Sequence, residues 1–276
     1  MKALLLAGLG LAALACADTA FAADPGFDKP VKQGHQPMTG AEAKNPKTGT
    51  FCFYFTGFMV KQVDEGEEGA EQLSIVPSAD PAKLPPCQRQ NLPDEKVVAP
   101  EEWSGYFKGV KGDYVVFDAD DGVNGALGFA VFAAATGKKL FEDAAFGGLQ
   151  QVSLDAGTLK LHYQRSFSGN CSVPKEGSGC WSSLAKTAGL DAAKAPDCAA
   201  GYLADKTALA KGRCEADGKP GAKPDAKCLA KEMKAADAQH FDDSPSVLVY
   251  PVETAVSQVA QGFAEQPGPV SCHASD

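Results

Sequence analysis

Eight cysteines stand beyond the first 22 residues of this chain: Cys52, Cys87, Cys171, Cys180, Cys198, Cys214, Cys228 and Cys272. An even set of thiols behind an export segment implies a disulfide framework built in an oxidising compartment. No C-x-x-C occurs, so thioredoxin-type redox chemistry and paired zinc knuckles lack their motifs. Cys272-His273 lacks the upstream cysteine of covalent haem attachment, since Pro269 stands in its place. Structural disulfides are what is left. Eight cysteines allow on the order of a hundred pairings, and spacing singles out two. Cys171 and Cys180 flank a short Gly/Pro loop. Cys214 and Cys228 sit near the facing ends of two helical segments.

The export reading rests on Lys2, the apolar stretch Ala3 to Ala15, and Ala20-Phe21-Ala22, a small-x-small site that places cleavage after Ala22. The stretch falls short of the roughly 20 apolar residues that cross a bilayer, and no later stretch reaches that length without charges. A soluble periplasmic or secreted protein is expected. Ala13-Leu14-Ala15-Cys16 resembles a lipoprotein box, but its leucine sits one place too close to Cys16, which disfavours a lipid anchor.

Formal net charge is −9, and arginine occurs only at Arg89, Arg165 and Arg213. Nucleic acid calls for a basic stripe with arginine forks, and anionic membranes also favour positive charge. Neither partner is expected. Gly and Pro number 29 and 18, a turn-rich balance that fits a β-rich or mixed fold.

Residues 23–49 are polar, turn-rich and without periodicity, and they read as an irregular arm. Phe51 to about Val60 is a dense apolar run, expected as a strand buried on both faces. Residues 61–71, with Asp64, Glu65, Glu67, Glu68 and Glu71, read as a solvated acidic loop. Leu73 to Val76 is a short strand. The proline-rich stretch 77–101 is a loop stapled by Cys87. Tyr114–Phe117, Phe129–Phe132, Leu140–Phe141 and Thr158–Phe167 form an antiparallel meander. Gly137 turns a hairpin, and period-two alternation through Leu159, Leu161 and Tyr163 marks a strand with one wet face. Phe129 to Phe141, centred on Ala134-Ala135-Thr136-Gly137-Lys138, resembles the hairpin of quinone-dependent propeller blades. It occurs once, and a propeller needs about four blades, so the resemblance implies a shared hairpin and no wider family.

From Cys171 the composition shifts to Ala, Lys, Leu and Asp. Helices are expected from Pro196-Asp197-Cys198 to about Gly212, and from Pro224-Asp225-Ala226 to about His240. Strands return at Val247–Tyr250 and over Val256 to Phe263. The expected fold is mainly β (α+β), an antiparallel meander or sandwich-like domain with a disulfide-stapled helical hairpin inserted. Its organisation is 1–22 export signal, 23–49 arm, 50–170 β-rich domain, 171–245 cysteine-rich helical insertion, and 246–276 strands returning to the β domain.

Asp118, Asp120, Asp121 and Asn124 on a Gly-rich stretch are a metal candidate, because Ca²⁺ takes oxygen ligands. The stretch departs from the EF-hand loop: Gly122 comes one place early, and Phe129 stands where the bidentate glutamate belongs. An Asp/Gly connection between strands is the favoured account of the stretch. His240 with Asp242 and Asp243 is a second, weaker metal grouping. No nucleophile elbow, P-loop or dinucleotide fingerprint occurs, so neither a catalytic residue nor an organic cofactor is indicated. The first functional expectation is a non-catalytic binding or interaction protein, for an undetermined protein or small-molecule partner, with the cysteine-rich insertion as its recognition surface. A carboxylate- or metal-dependent periplasmic hydrolase, using Asp118–Asp121 or Asp242–Asp243, is the alternative. A structural envelope component is the third.

Overall fold

The computed structural model describes residues 25–39, 45–78, 80, 83–216, 225–257, 261–265 and 268–275. Residues 1–24, where the export signal and Cys16 were expected, and residues 217–224 between the two expected helices, lie outside them. The fold is mainly β, in two antiparallel sheets. Strands β1 (Lys32–Pro37), β2 (Gly49–Phe55), β3 (Phe58–Asp64), β4 (Gln72–Pro77) and β5 (Lys96–Val97) form the first sheet in chain order. The second contains β6 (Tyr106–Lys111), β7 (Tyr114–Val123), β8 (Ala126–Ala133), β9 (Lys139–Asp155), β10 (Thr158–Ser168), β11 (Ser246–Val256), β12 (Gln261–Glu265) and β13 (Ser271–Ala274). Its order is β12-β11-β10-β9-β8-β7-β6, with β13 also pairing β11.

Between β10 and β11, which pair with each other, lies the helical insertion: α1 (Val173–Glu176), α2 (Ser178–Ala188), α3 (Cys198–Ala216) and α4 (Ala226–Ala238). The two helices expected from sequence are α3 and α4. The Gly/Pro stretch after Cys171, expected as a loop, is helical in α1 and continues into α2. Ser172 caps α1, accepting from the Lys175 amide, and a proline fills its first turn. Trp181, Leu184 and Ala185, spaced for one helix face, bury that side of α2, and left-handed Gly189 ends it.

Three further expectations are corrected. The run from Phe51 to Val60 is two strands. Thr56-Gly57 turns between Phe55 and its partner Phe58, with Gly57 at a φ of 91° that suits glycine. The irregular arm contains β1, whose mostly exposed residues become a strand only by pairing along β2. Strand β3 also runs on to Asp64, shortening the acidic loop.

Packing follows the alternation. Val115 and Phe117 of β7 meet Phe55, Phe58, Val60, Leu73 and Ile75 in the core between the sheets. Tyr114 and Val116 point the other way, into a core with Leu159, Leu161, Tyr163, Leu248, Trp181, Leu184 and Tyr202. Both faces of β7 are covered, so its sequence is continuously apolar there, unlike that of β10. Residues 25–28 tie edge strand β6 to β9. The Asp28 amide donates to the Val110 carbonyl at 2.8 Å, and the Val152 amide to the Pro25 carbonyl at 2.6 Å. One short segment reaches strands three places apart in the sheet order, so the second sheet curls.

Four disulfides join Cys52–Cys87, Cys171–Cys180, Cys198–Cys272 and Cys214–Cys228. The second and fourth are the pairs that spacing singled out. The first anchors β2 to the proline-rich loop, and the third joins the start of α3 to β13.

Candidate functional site

The loop between β3 and β4 and the segment leading into β6 enclose a cleft of about 260 Å³. Glu65, Glu67, Glu68 and Glu71 supply its acidic rim, and Leu73, Val98, Pro100 and Trp103 its apolar wall. The backbone holds both loops. The Ala70 amide donates to the Gly105 carbonyl at 3.0 Å, and the Gly69 amide to the Tyr106 hydroxyl at 2.8 Å. The Val98 amide donates to the Leu73 carbonyl at 2.9 Å, and the Trp103 indole to the Asp118 carbonyl at 3.3 Å. Gly105 is obligatory at this crossing: its φ is 148°, and a Cβ there would lie 1.9 Å from the Asp118 carbonyl oxygen.

Arg89 takes Glu65 in an ion pair. Among the described residues, none forms an ion pair with Glu67, Glu68 or Glu71. Three exposed carboxylates therefore stand over an aromatic and aliphatic wall. That arrangement attracts a cation and offers apolar surface to the stem that carries it.

The metal candidates are dispersed along and beyond β7. Asp118 pairs with Lys108 at 2.7 Å. Asp120 accepts from the Ser104 hydroxyl at 3.0 Å and from the Asp121 amide at 3.1 Å. Asn124 is at the β7–β8 turn, with a φ of 54°, and donates to Ser168. Among the described residues, no group of three or more His, Cys, Asp or Glu side chains is placed to hold a metal ion. Asp120 instead borders the acidic cleft beside Gly69.

The second grouping is also engaged. Asp243 pairs with Lys175 at 2.7 Å and faces His240 at 3.8 Å, while Asp242 pairs with Lys206 at 3.1 Å. His162 faces Glu253 at 3.0 Å. His35 stacks on Phe51 and meets the Thr48 carbonyl. His273 lies between Asp205 and Ser271.

One polar network, with Tyr163 buried at its centre, joins β9, β10 and β11, where Thr254 Oγ1 lies 3.1 Å from the Tyr163 hydroxyl. The Tyr163 hydroxyl donates to Asp143 at 2.6 Å, and Arg165 Nε donates to the other oxygen of that carboxylate at 3.1 Å. Burial, then the Asp143 charge, hold the Tyr163 phenol far above its ordinary range. A phenol so fixed in its neutral form is a structural donor.

Trp103 and the pairing of Asp205 with His273 escaped the sequence reading. The glutamate run was visible, but the tryptophan that walls its cleft lies more than thirty residues away, and no local spacing links them. Compared with family models, curated proteins and solved structures, the chain matches none.

Proposed function

We propose that this chain is an exported, disulfide-braced binding protein whose acidic cleft takes an organic cation on an apolar stem. One observation carries the reading: Glu67, Glu68 and Glu71 stand without ion-pair partners among the described residues, beside Trp103, Leu73 and Val98 in a single cleft. Four disulfides are compatible with an oxidising compartment. The net charge of −9 adds a long-range field of the same sign.

The test is calorimetric titration of the oxidised protein with spermidine. Saturable binding is expected, weakened about tenfold between low salt and ~0.3 M salt as the carboxylates are screened. Trp103→Phe and the pair Glu68→Gln/Glu71→Gln should each weaken it. Absence of saturable heat, or binding indifferent to all three substitutions, overturns the assignment.

A further inference from the structure

Asp205 on α3 and His273 and Ser271 on β13 form a hydrogen-bonded chain. Asp205 Oδ1 lies 3.1 Å from His273 Nδ1, and His273 Nε2 lies 3.0 Å from Ser271 Oγ. The other carboxylate oxygen, Oδ2, accepts from the Ala274 amide at 2.9 Å, which fixes the carboxylate's orientation. A carboxylate only accepts, so Nδ1 carries the proton toward it, and the neutral ring then turns its Nε2 lone pair to the serine. That is the tautomer a general base needs.

The chain is held from several sides. Cys272, between Ser271 and His273, is bonded to Cys198 at the start of α3. Gly201, one turn along α3, lets the helix lie against the strand, since a Cβ there would sit 1.8 Å from the Cys272 carbonyl oxygen. The Phe146 ring stacks on His273 with centroids 5.8 Å apart. Directly after Phe146, Gly147 and Gly148 bulge from β9 and leave open space, with nothing within 4 Å of a Cβ at either. Ser271 is exposed, and the side chains of His273 and Asp205 are 30 % and 29 % exposed. Substrate therefore has access.

We infer that Ser271 is a nucleophile for acyl transfer, with His273 as general base and Asp205 as the residue that positions it. The serine proton has two acceptors, Nε2 at 3.0 Å and the Val249 carbonyl at 3.2 Å. Rotation of the hydroxyl toward Nε2 readies the attack. Ser271 Oγ bonds to the ester carbonyl carbon as its proton passes to Nε2. The ester C–O bond then breaks, and the alcohol leaves with that proton. Water, deprotonated by the same nitrogen, releases the acid and restores the serine. Ser271 is exposed on β13 and His273 is partly open beside it, so the fitting substrate is an ester presented from outside. This site is separate from the acidic cleft and does not rest on the binding reading.

The test exposes the full oxidised protein to p-nitrophenyl acetate and to a fluorophosphonate, followed by peptide mapping. Both reagents are expected to modify Ser271 ahead of every other serine. Ser271→Ala abolishes that modification, and His273→Gln slows it by about 10²–10⁴-fold. Asp205→Asn, which presents an amide to Nδ1, should slow it as well, with the Cys198–Cys272 bond and the circular dichroism spectrum retained. No preferential labelling of Ser271 in the unsubstituted protein overturns the inference, whatever the variants do. Labelling that survives His273→Gln at full rate overturns the role given to the histidine.

Discussion

Lys61 Nζ and Glu95 Oε1 lie 2.7 Å apart, with their side chains 0 % and 1 % exposed. Lys61 interrupts the apolar face of β3, and its charge is buried because the proline-rich loop folds over that face. Lys61 also donates to the Arg89 and Gln90 carbonyls, and Glu95 accepts from Gln72 and from the Leu92 amide. Lys61→Met leaves the carboxylate buried without its cation, and a loss of about 3–5 kcal/mol is expected. Lys61→Met/Glu95→Leu should recover most of it. Urea unfolding at pH 7 measures both, and a double variant no more stable than the single one would show that the pair does not act as a unit.

The disulfides should differ in worth according to the loops they close. The sequence separations are 74 for Cys198–Cys272, 35 for Cys52–Cys87, 14 for Cys214–Cys228 and 9 for Cys171–Cys180. Chain entropy then predicts contributions of about 4.5, 3.8, 3.0 and 2.6 kcal/mol in that order. Pairwise Cys→Ala variants, compared by denaturant midpoint, check the ranking. A Cys171–Cys180 deletion that costs more than loss of Cys198–Cys272 contradicts it.

Gly201→Ala tests how α3 meets β13. In an isolated helix the substitution favours the helix by roughly 1 kcal/mol. Here the added Cβ falls 1.8 Å from the Cys272 carbonyl oxygen, and a net loss of about 1–3 kcal/mol is expected from overpacking. Thermal unfolding gives the sign, and an unchanged or raised Tm would mean that the helix shifts without cost.

Alkaline pH should unfold the protein through its tyrosines. Burial raises the phenol pKa of Tyr54, Tyr114, Tyr163 and Tyr202 in the folded state. The unfolded chain releases these protons near pH ~10, whereas the folded chain retains them. Their contribution is therefore complete below that pH and is lost above it, as the pH rises toward the folded values. Lys206 adds in the same direction, because its hydrogen bond to Asp237 raises its pKa against the opposing effect of burial. Absorbance at alkaline pH should show these four of the six tyrosines ionising together with the loss of circular dichroism. Independent ionisation of all six before unfolding would contradict it.

What could be read along the chain was whatever has a local cause. Strand β10 was legible because Leu159, Leu161 and Tyr163 face the core while Lys160, His162 and Gln164 remain partly open to water. Helix α2 was obscured by the glycines of the Cys171–Cys180 stretch, although its Trp181, Leu184 and Ala185 fit one face. Strand β9 was legible only at Leu140–Phe141. Its 17 residues bulge at Gly147-Gly148 and change partner from β8 to β10 along their length, so no single alternation runs through it. Strand β1 carries no apolar signal, since it exists through hydrogen bonds to β2. Of the candidate site, the glutamate run was visible and read as solvated. Asp118, Asp120 and Asp121 were visible too, but Lys108 takes Asp118 and Ser104 takes Asp120.

Local signals along the chain were enough for a cross-linked, mainly β fold and a helical insertion, and they offered Cys171–Cys180 and Cys214–Cys228 as candidate pairs that the structure then joined. Periodicity and short loops act over a few residues, and those features need nothing more. Tertiary structure alone decided the pairings Cys52–Cys87 and Cys198–Cys272, the burial of Lys61 against Glu95, the wall that Trp103 gives the acidic cleft, and the meeting of His273 with Asp205 across 68 residues. Each depends on strand register and on which face of one element covers another, and these are set by packing the whole core at once.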